Sequence, residues 1–394
     1  MTPPTYLASL TELIARPSLI VAGAMSGTSV DSVDVGICRI TQSIQSHAAT
    51  PAPRPTVELL SFYRHDYPAP LRARILKGRD LGVADVAELH VLIGRLFAEA
   101  ITEASKRWGG KLDLIGSHGQ TIYHHSGVSD TLMATLQVGC GDIIATKTGV
   151  LTIFDFRAKD VAVGGEGAPL VPHADEQLFG NDQCRAIINL GGIANITLLG
   201  LSGGDILGFD TGPANAPLDR LARKITLGTA ELDLDGSLAR QGQIQQELLN
   251  ELLADPYLAR TPPKSTGSEM YGDEFVETII RRFGRVDVDL IATMTEFVAI
   301  SVADAIIRFS PQPVHEAIIS GGGANNRFLM ERMQHHLGTI PLSRSDDRGI
   351  PSHAREVIAF ALLAHDALRG LPTSKPSVTG AHKAVRLGSF AFPD

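Results

Sequence analysis

The chain has 394 residues, of which 44% are apolar, 20% charged and 5% aromatic. One hydrophobic core rarely serves that length, so two domains are expected, and a disordered, collagen-like or disulfide-scaffold chain is excluded. Lys plus Arg is 35 against 43 for Asp plus Glu, a net charge of −8 with no dense basic run, which speaks against a nucleic-acid groove or an anionic-membrane site.

Cys38, Cys140 and Cys184 show no C-x-x-C spacing, which argues against zinc and disulfides and fits a reducing cytoplasm. Met1 to Pro17 lacks the pattern of a secretory signal, and no uninterrupted apolar run approaches the ~18–20 residues of a membrane span. A soluble cytoplasmic protein is expected. The 39 glycines exceed the average share of roughly 7%.

In chain order, Leu19–Met25, Val33–Ile40 and Val57–Tyr67 read as strands, and Val83–Trp108 as a helix ended by Gly109-Gly110. Leu112–Ile115 reads as a buried strand that stops before Ser117-His-Gly-Gln-Thr121. After a Gly- and Pro-rich passage, Ala186–Asn189, Ile196–Leu199 and Ile206–Asp210 read as strands, Ile244–Leu253 and Val288–Phe309 as helices. Ala317–Ser320 is a further strand and Glu356–Leu368 a closing helix. The second half repeats the element order of the first without a sequence repeat, so two similar α/β lobes with an interdomain cleft are expected.

Four glycine turns end apolar strands: Gly27-Thr-Ser-Val-Asp-Ser-Val-Asp34, Asn189-Leu-Gly-Gly-Ile-Ala-Asn195, Asp210-Thr-Gly-Pro-Ala-Asn215 and Ser320-Gly-Gly-Gly-Ala-Asn-Asn326. Backbone N–H groups at Gly27, with the hydroxyls of Thr28 and Ser29, can cradle phosphate oxygens, and Asp31 and Asp34 suit Mg²⁺. Taken singly, such a turn reads better as a plain hairpin. Together they suggest a nucleotide held between lobes, although neither a P-loop nor a dinucleotide fingerprint is present. His118, Gln120 and Thr121 suit a polyol or a structural turn. Arg157 and Lys159 suit an anion or a solvated loop, and Lys264 suits a phosphate or a turn. His118 with His124 and His125 lacks a carboxylate at zinc-site spacing, and Asp233-Leu-Asp-Gly236 has Ile244 where a calcium loop needs Glu.

Taken in order, these motifs resemble the anhydro-N-acetylmuramic acid kinase family. They are joined by Phe156-Arg157 with Asp160, Gly165 to Pro172, Pro263-Lys-Ser-Thr-Gly267 and Val378-Thr-Gly-Ala381. The match runs from about Val21 to Gly388. It implies a two-lobed hexokinase/actin-type (RNase H-like) fold binding ATP and Mg²⁺, with one lobe formed by 1–155 and completed by 369–394, and the other by 156–368. The phosphate and adenosine groups then comprise Gly27, Thr28, Ser29, Asp31, Asp34, Gly191, Gly192, Gly212, Gly321, Gly322, Gly323 and Asn325, with Mg²⁺ at Asp31 and Asp34. His118, Gln120, Thr121, Arg157, Asp160 and Glu356 face the sugar.

By the same resemblance, Asp210 activates the water that opens a 1,6-anhydro ring while O6 takes the γ-phosphoryl of ATP, in cell-wall recycling. The partner is a small anhydro sugar, and a homodimer is suggested. Ser32 and Ala214 stand where the family usually has Gly, and Glu166 where Gln is common. A charge at Glu166 near the sugar keeps levoglucosan, a neutral anhydro sugar, as the alternative substrate. A non-catalytic nucleotide- or sugar-binding regulator is the alternative of another class.

Overall fold

The computed structural model describes residues 6–27, 29–42, 54–125, 132–202 and 204–393. Its strands in chain order are β1 (Ser18–Ser26), β2 (Ser32–Thr41), β3 (Thr56–Asp66), β4 (Leu114–His125), β5 (Ala134–Val138), β6 (Thr152–Phe154), β7 (Arg185–Leu190), β8 (Ile193–Leu199), β9 (Leu207–Pro213), β10 (Glu316–Ser320), β11 (Leu342–Arg344) and β12 (Ser389–Ala391).

Among the described residues these form two sheets. One has seven strands in the order β12-β6-β4-β1-β2-β3 with β5 paired to β4; the other has five in the order β11-β10-β7-β8-β9. In the first, β1, β2 and β3 form an antiparallel meander, and β4 and β6 add in parallel beside β1. In the second, β7, β8 and β9 form the meander, and β10 and β11 add in parallel beside β7. The same five-strand topology therefore occurs twice, which is the α/β duplication of the hexokinase/actin-type, RNase H-like fold.

The chain divides into two compact units, Met1–Leu178 with Ala354–Asp394, and Phe179–His353. These boundaries differ from those expected, because 156–178 and 354–368 go with the first unit. The helix Arg355–Leu368 packs on the sheet of the first unit, and a buried polar seam fastens the helix Val171–Phe179 to it. Arg355 Nε donates to Asp175 Oδ1 at 2.9 Å, and Asp366 lies between His173 Nε2 at 2.6 Å and His365 Nδ1 at 2.8 Å. The two histidines hold the Asp366 carboxyl down at about 2 against the opposing effect of burial.

The helix Arg355–Leu368 lies on a row of three glycines. Gly36, Gly23 and Gly116 sit side by side in register on β2, β1 and β4. A Cβ on Gly23 would fall 1.8 Å from the Val357 carbonyl oxygen, and one on Gly116 2.3 Å from that of Phe360. Only a side-chain-free strand surface admits a helix backbone this closely. On the other face, Val83–Trp108 packs Leu89, Ile93, Leu96, Phe97 and Ile101 onto β1–β3, and Gly109 ends it at φ +83°.

β4 runs to His125 rather than stopping at Ile115, so the His118 motif lies within a strand. Its central position, with parallel neighbours β1 and β6 and antiparallel β5 at its far end, extends it past what its apolar run indicates. In the second unit the core helix Val288–Phe309 begins where Asp287 accepts from the amides of Asp289 and Leu290. It is the one helix among the described residues long and apolar enough to cross a membrane, and 83% of its apolar window is buried in this unit. Cys38, Cys140 and Cys184 are free thiols.

Candidate active site

In the first unit, the β1–β2 turn is held from its carbonyl side. Arg72 donates to Val30 O at 3.0 Å, Ser29 O at 3.1 Å and Asp31 Oδ1 at 3.0 Å. Val30 takes φ +55° and its amide donates to Gly27 O. Thr28 lies outside the described residues. Gln120 lies under the turn, fully buried. It accepts from Ser26 Oγ at 2.7 Å and Tyr67 Oη at 3.3 Å, and donates to Gly27 O and Thr121 O. Its amide is committed to holding the turn, which corrects the expectation that it faces a sugar. Thr121 is half-buried and its hydroxyl accepts from Gln137.

The expectation that Asp31 and Asp34 both ligate Mg²⁺ is also corrected. Arg64 holds Asp34 through both oxygens, at 2.9 and 2.8 Å, and Ser32 Oγ donates to the same carboxylate. Asp34 thus has its charge matched by a guanidinium and does not fit a metal. Asp31 shares Oδ1 with Arg72 and is exposed, with Oδ2 outside that contact. Among the described residues no group of three or more His, Cys, Asp or Glu could hold a metal ion.

His118 is buried against Phe360, with ring centroids 4.6 Å apart. Its Nδ1 donates to Gly119 O at 3.0 Å, and its Nε2 accepts from Arg157 at 3.0–3.1 Å. Burial first, then the guanidinium, holds this imidazole neutral, well below its ordinary range. Burial also lowers Arg157, to about 10, with Glu356 and Asp160 opposing, so it stays charged at neutral pH. Arg157 reaches on to Gly167 O at 2.7 Å.

Glu356 opens the helix over the glycine row. Crowding by surrounding protein raises its carboxyl and Asp34 adds to this, while Arg355 and Arg157 oppose; its side chain nonetheless remains reachable by solvent. Asp34, Arg157, His118 and Glu356 are thereby brought into one electrostatic neighbourhood. Asp160 is not a surface ligand. Completely buried, it accepts from the Gly167 amide at 2.8 Å and Thr379 Oγ1 at 2.9 Å, and so fastens the 160–169 loop to the helix Pro376–Thr379. Glu166, on that loop, is half-buried and raised by burial and by Asp160.

In the second unit, the other three glycine turns converge. Gly191 and Gly192 accept from the first amides of the helix Asn215–Ile225, and Asn215 Nδ2 donates to Leu190 O at 2.8 Å. Gly321, at φ +84°, approaches Leu190 O so closely that a Cβ would lie 2.6 Å away, and Gly323 packs on Leu190 and Asn215. Gly212 sits at the bulge of β9, and Asn325 is exposed and accepts from Arg344. Ala214 has φ −132°, and Ser32 is not among the described residues with positive φ, so neither departure from Gly falls in the left-handed region that favours glycine.

Asp210 is half-buried on β9. Its amide donates to Lys264 O at 3.1 Å, its carbonyl accepts from Tyr257 Oη at 2.9 Å, and its Oδ2 accepts from the Thr266 amide at 3.0 Å. Burial raises this carboxyl to about 6; Glu269 adds, while the Thr266 amide and Lys264 oppose. No lysine neighbours Asp210 in sequence, yet Lys264 does in space. A carboxylate oriented by one hydrogen bond and tuned near neutrality is equipped to take a proton from water. Arg64, Arg72, Tyr257 and Thr266 escaped the sequence reading; of these only Thr266 lies in a motif, Pro263-Lys-Ser-Thr-Gly267, that flags it.

The model of the family described as anhydro-N-acetylmuramic acid kinase matches residues 19–393. A protein of that name from Crocosphaera subtropica is 38% identical, with 94% of this chain and 98% of the relative covered. Another from Synechococcus elongatus is 40% identical, covering 93% and 98%. Among solved structures, the chain aligns with the activator of 2-hydroxyisocaproyl-CoA dehydratase from Clostridium difficile, at 12% identity and a TM-score of 0.43, covering 89% and 96%; the fold assignment rests on the sheet topology instead. With its full-length match and its near-complete coverage of these relatives, the chain belongs to the anhydro-N-acetylmuramic acid kinase family.

Proposed function

We propose that this chain uses ATP to open and phosphorylate 1,6-anhydro-N-acetylmuramic acid, giving N-acetylmuramic acid 6-phosphate and ADP for cell-wall recycling. The observation that carries the reading is Asp210, a half-buried carboxyl raised to about 6 and aimed by the Thr266 amide. Asp210 takes a proton from water as the water oxygen bonds to the anomeric carbon. The bond from that carbon to O6 breaks, O6 bonds to the γ-phosphorus, and the β,γ-bridging oxygen leaves with ADP. Attack opposite the departing oxygen inverts the anomeric centre, as in inverting glycosidases.

The remaining assignments are proposals of the same kind. Phosphoryl transfer demands positioning and charge neutralisation. In the second unit the segments at 191–192, 212–215 and 321–325 supply backbone donors for phosphate, and the Gly27 motif is assigned the same task in the first. Mg²⁺ enters as the counter-ion of ATP and is part of that substrate. Arg157, with neutral His118, and Glu356 recognise the sugar.

Purified protein incubated with ATP, Mg²⁺ and either anhydro-N-acetylmuramic acid or levoglucosan tests the reading by product mass. Phosphorylation of the muramic sugar is expected. Turnover of levoglucosan alone reassigns the substrate, and turnover of neither removes the kinase reading. Asp210→Asn is expected to keep ATP binding while turnover falls about 10²–10⁴-fold, the usual contribution of a general base.

A further inference from the structure

Lys264 is not accounted for by the reaction. Its side chain is nine-tenths buried and makes no ion pair among the described residues, with Nζ donating instead to the carbonyls of Leu258 at 3.1 Å and Tyr257 at 3.3 Å. Three rings surround the ammonium, those of Phe309, Tyr257 and Phe209, with centroids 4.7, 4.9 and 5.7 Å away. It also borders a cavity of about 230 Å³ lined by Thr211, Leu258, Ser301, Asp304 and Arg308. Burying an ammonium that is hydrogen-bonded only to carbonyls is costly.

The hydrogen bonds form a closed circuit through Asp210. Lys264 Nζ donates to Tyr257 O, Tyr257 Oη donates to Asp210 O, and the Asp210 amide donates to Lys264 O. Two residues beyond, the Thr266 amide holds the Asp210 carboxylate. Asp255 anchors the circuit, accepting from the Tyr257 amide at 2.9 Å and from Tyr271 Oη at 2.8 Å.

We propose that Lys264 is a positioning residue for the general base: it ties the 257–258 and 264–266 segments together so that Asp210 meets water in one orientation. The inference rests on the assignment of Asp210 as the base. The charged groups around Asp210 are Lys264 and Glu269, with Tyr257 beside it; those around Lys264 are Arg308, Asp304, Arg260 and Asp210. Because the Lys264 cation lowers the Asp210 carboxyl, its removal raises that carboxyl, and the acid limb of kcat moves to higher pH.

Lys264→Met keeps the length of the side chain and places an apolar group among the rings, so folding is retained and a melting curve verifies it. The expected result is a kcat lower by about 10- to 100-fold, the scale of a misplaced catalytic group, with KM for ATP unchanged and the acid limb shifted upward. Tyr257→Phe breaks the circuit at its other end while keeping the ring, and a lower kcat with unchanged KM for ATP is expected again. A Lys264→Met kcat within about twofold of the parent overturns the proposal, and so does a lower kcat with an unmoved acid limb, the mark of a merely structural lysine. Near-parent turnover in Asp210→Asn removes the base assignment itself; its loss alongside an unaffected Lys264→Met overturns only the role of Lys264.

Discussion

At the scale of single residues, the base role proposed for Asp210 sets catalysis against stability. Its folded carboxyl lies near 6, above the ordinary value of 3.8. Below both values native and unfolded chains carry the proton alike, so no difference arises. Between them the unfolded chain has lost its proton while the native one keeps it. The native state is progressively penalised as pH rises, and the penalty is complete above about 6. Asp210→Asn, which can still accept from the Thr266 amide, is therefore expected to raise Tm at pH 8 and leave it unchanged at about pH 3, below both values. Equal shifts at both pH values would show that the effect is not electrostatic. The identity of this residue was legible in sequence because it sits in the motif Phe209-Asp-Thr-Gly-Pro213. Its tuning was not, since Tyr257, Lys264, Thr266 and Glu269 all lie more than forty residues away in the chain.

At the scale of elements, the glycines divide into two kinds. Those at 191–192 and 321–323 sit in turns that the sequence marks by their position after apolar strands, whereas Gly212 lies within β9 at its bulge. Gly23, Gly36 and Gly116 instead form a row that becomes visible only when three strands are placed in register. No local pattern announces that row, because it depends on pairings between segments up to 93 residues apart, as Gly23 with Gly116. Gly23→Ala would drive a methyl onto the Val357 carbonyl and press the helix Arg355–Leu368, with Glu356 at its start, away from the sheet. A loss of about 1–3 kcal/mol is expected, the common cost of overpacking, read as a lower urea midpoint with an unchanged slope. The same register explains why β4 carries His118 within the sheet: strand pairing overrides a motif whose glycine suggested a turn.

At the scale of the whole molecule, duplication was legible and its boundaries were not. The repeated order of strands and glycine turns pointed to two α/β units, and the sheet pairings give both the same topology. Composition carries no trace of the glycine row that seats the helix Arg355–Leu368 on the first sheet, or of the Arg355–Asp175 and His173–Asp366 contacts that bring the helix Val171–Phe179 with it. A chain ended at residue 353 retains all of Phe179–His353 but lacks the helix that covers the glycine row. Limited proteolysis of that shortened chain is expected to degrade 1–178 and spare 179–353; equal survival of both would mean that the sheet stands without its helix.

This arrangement also sets an order of events during synthesis. The unit begun first is finished last, because its closing helix and β12 lie in about the last forty residues. At roughly 5–20 residues per second, ribosomes leave the glycine-lined face of β1, β2 and β4 bare for about 1–3 s after the second unit is complete, until the helix Arg355–Leu368 has been made. For that interval the nascent chain is one finished unit and one open sheet, a natural client for a holding chaperone.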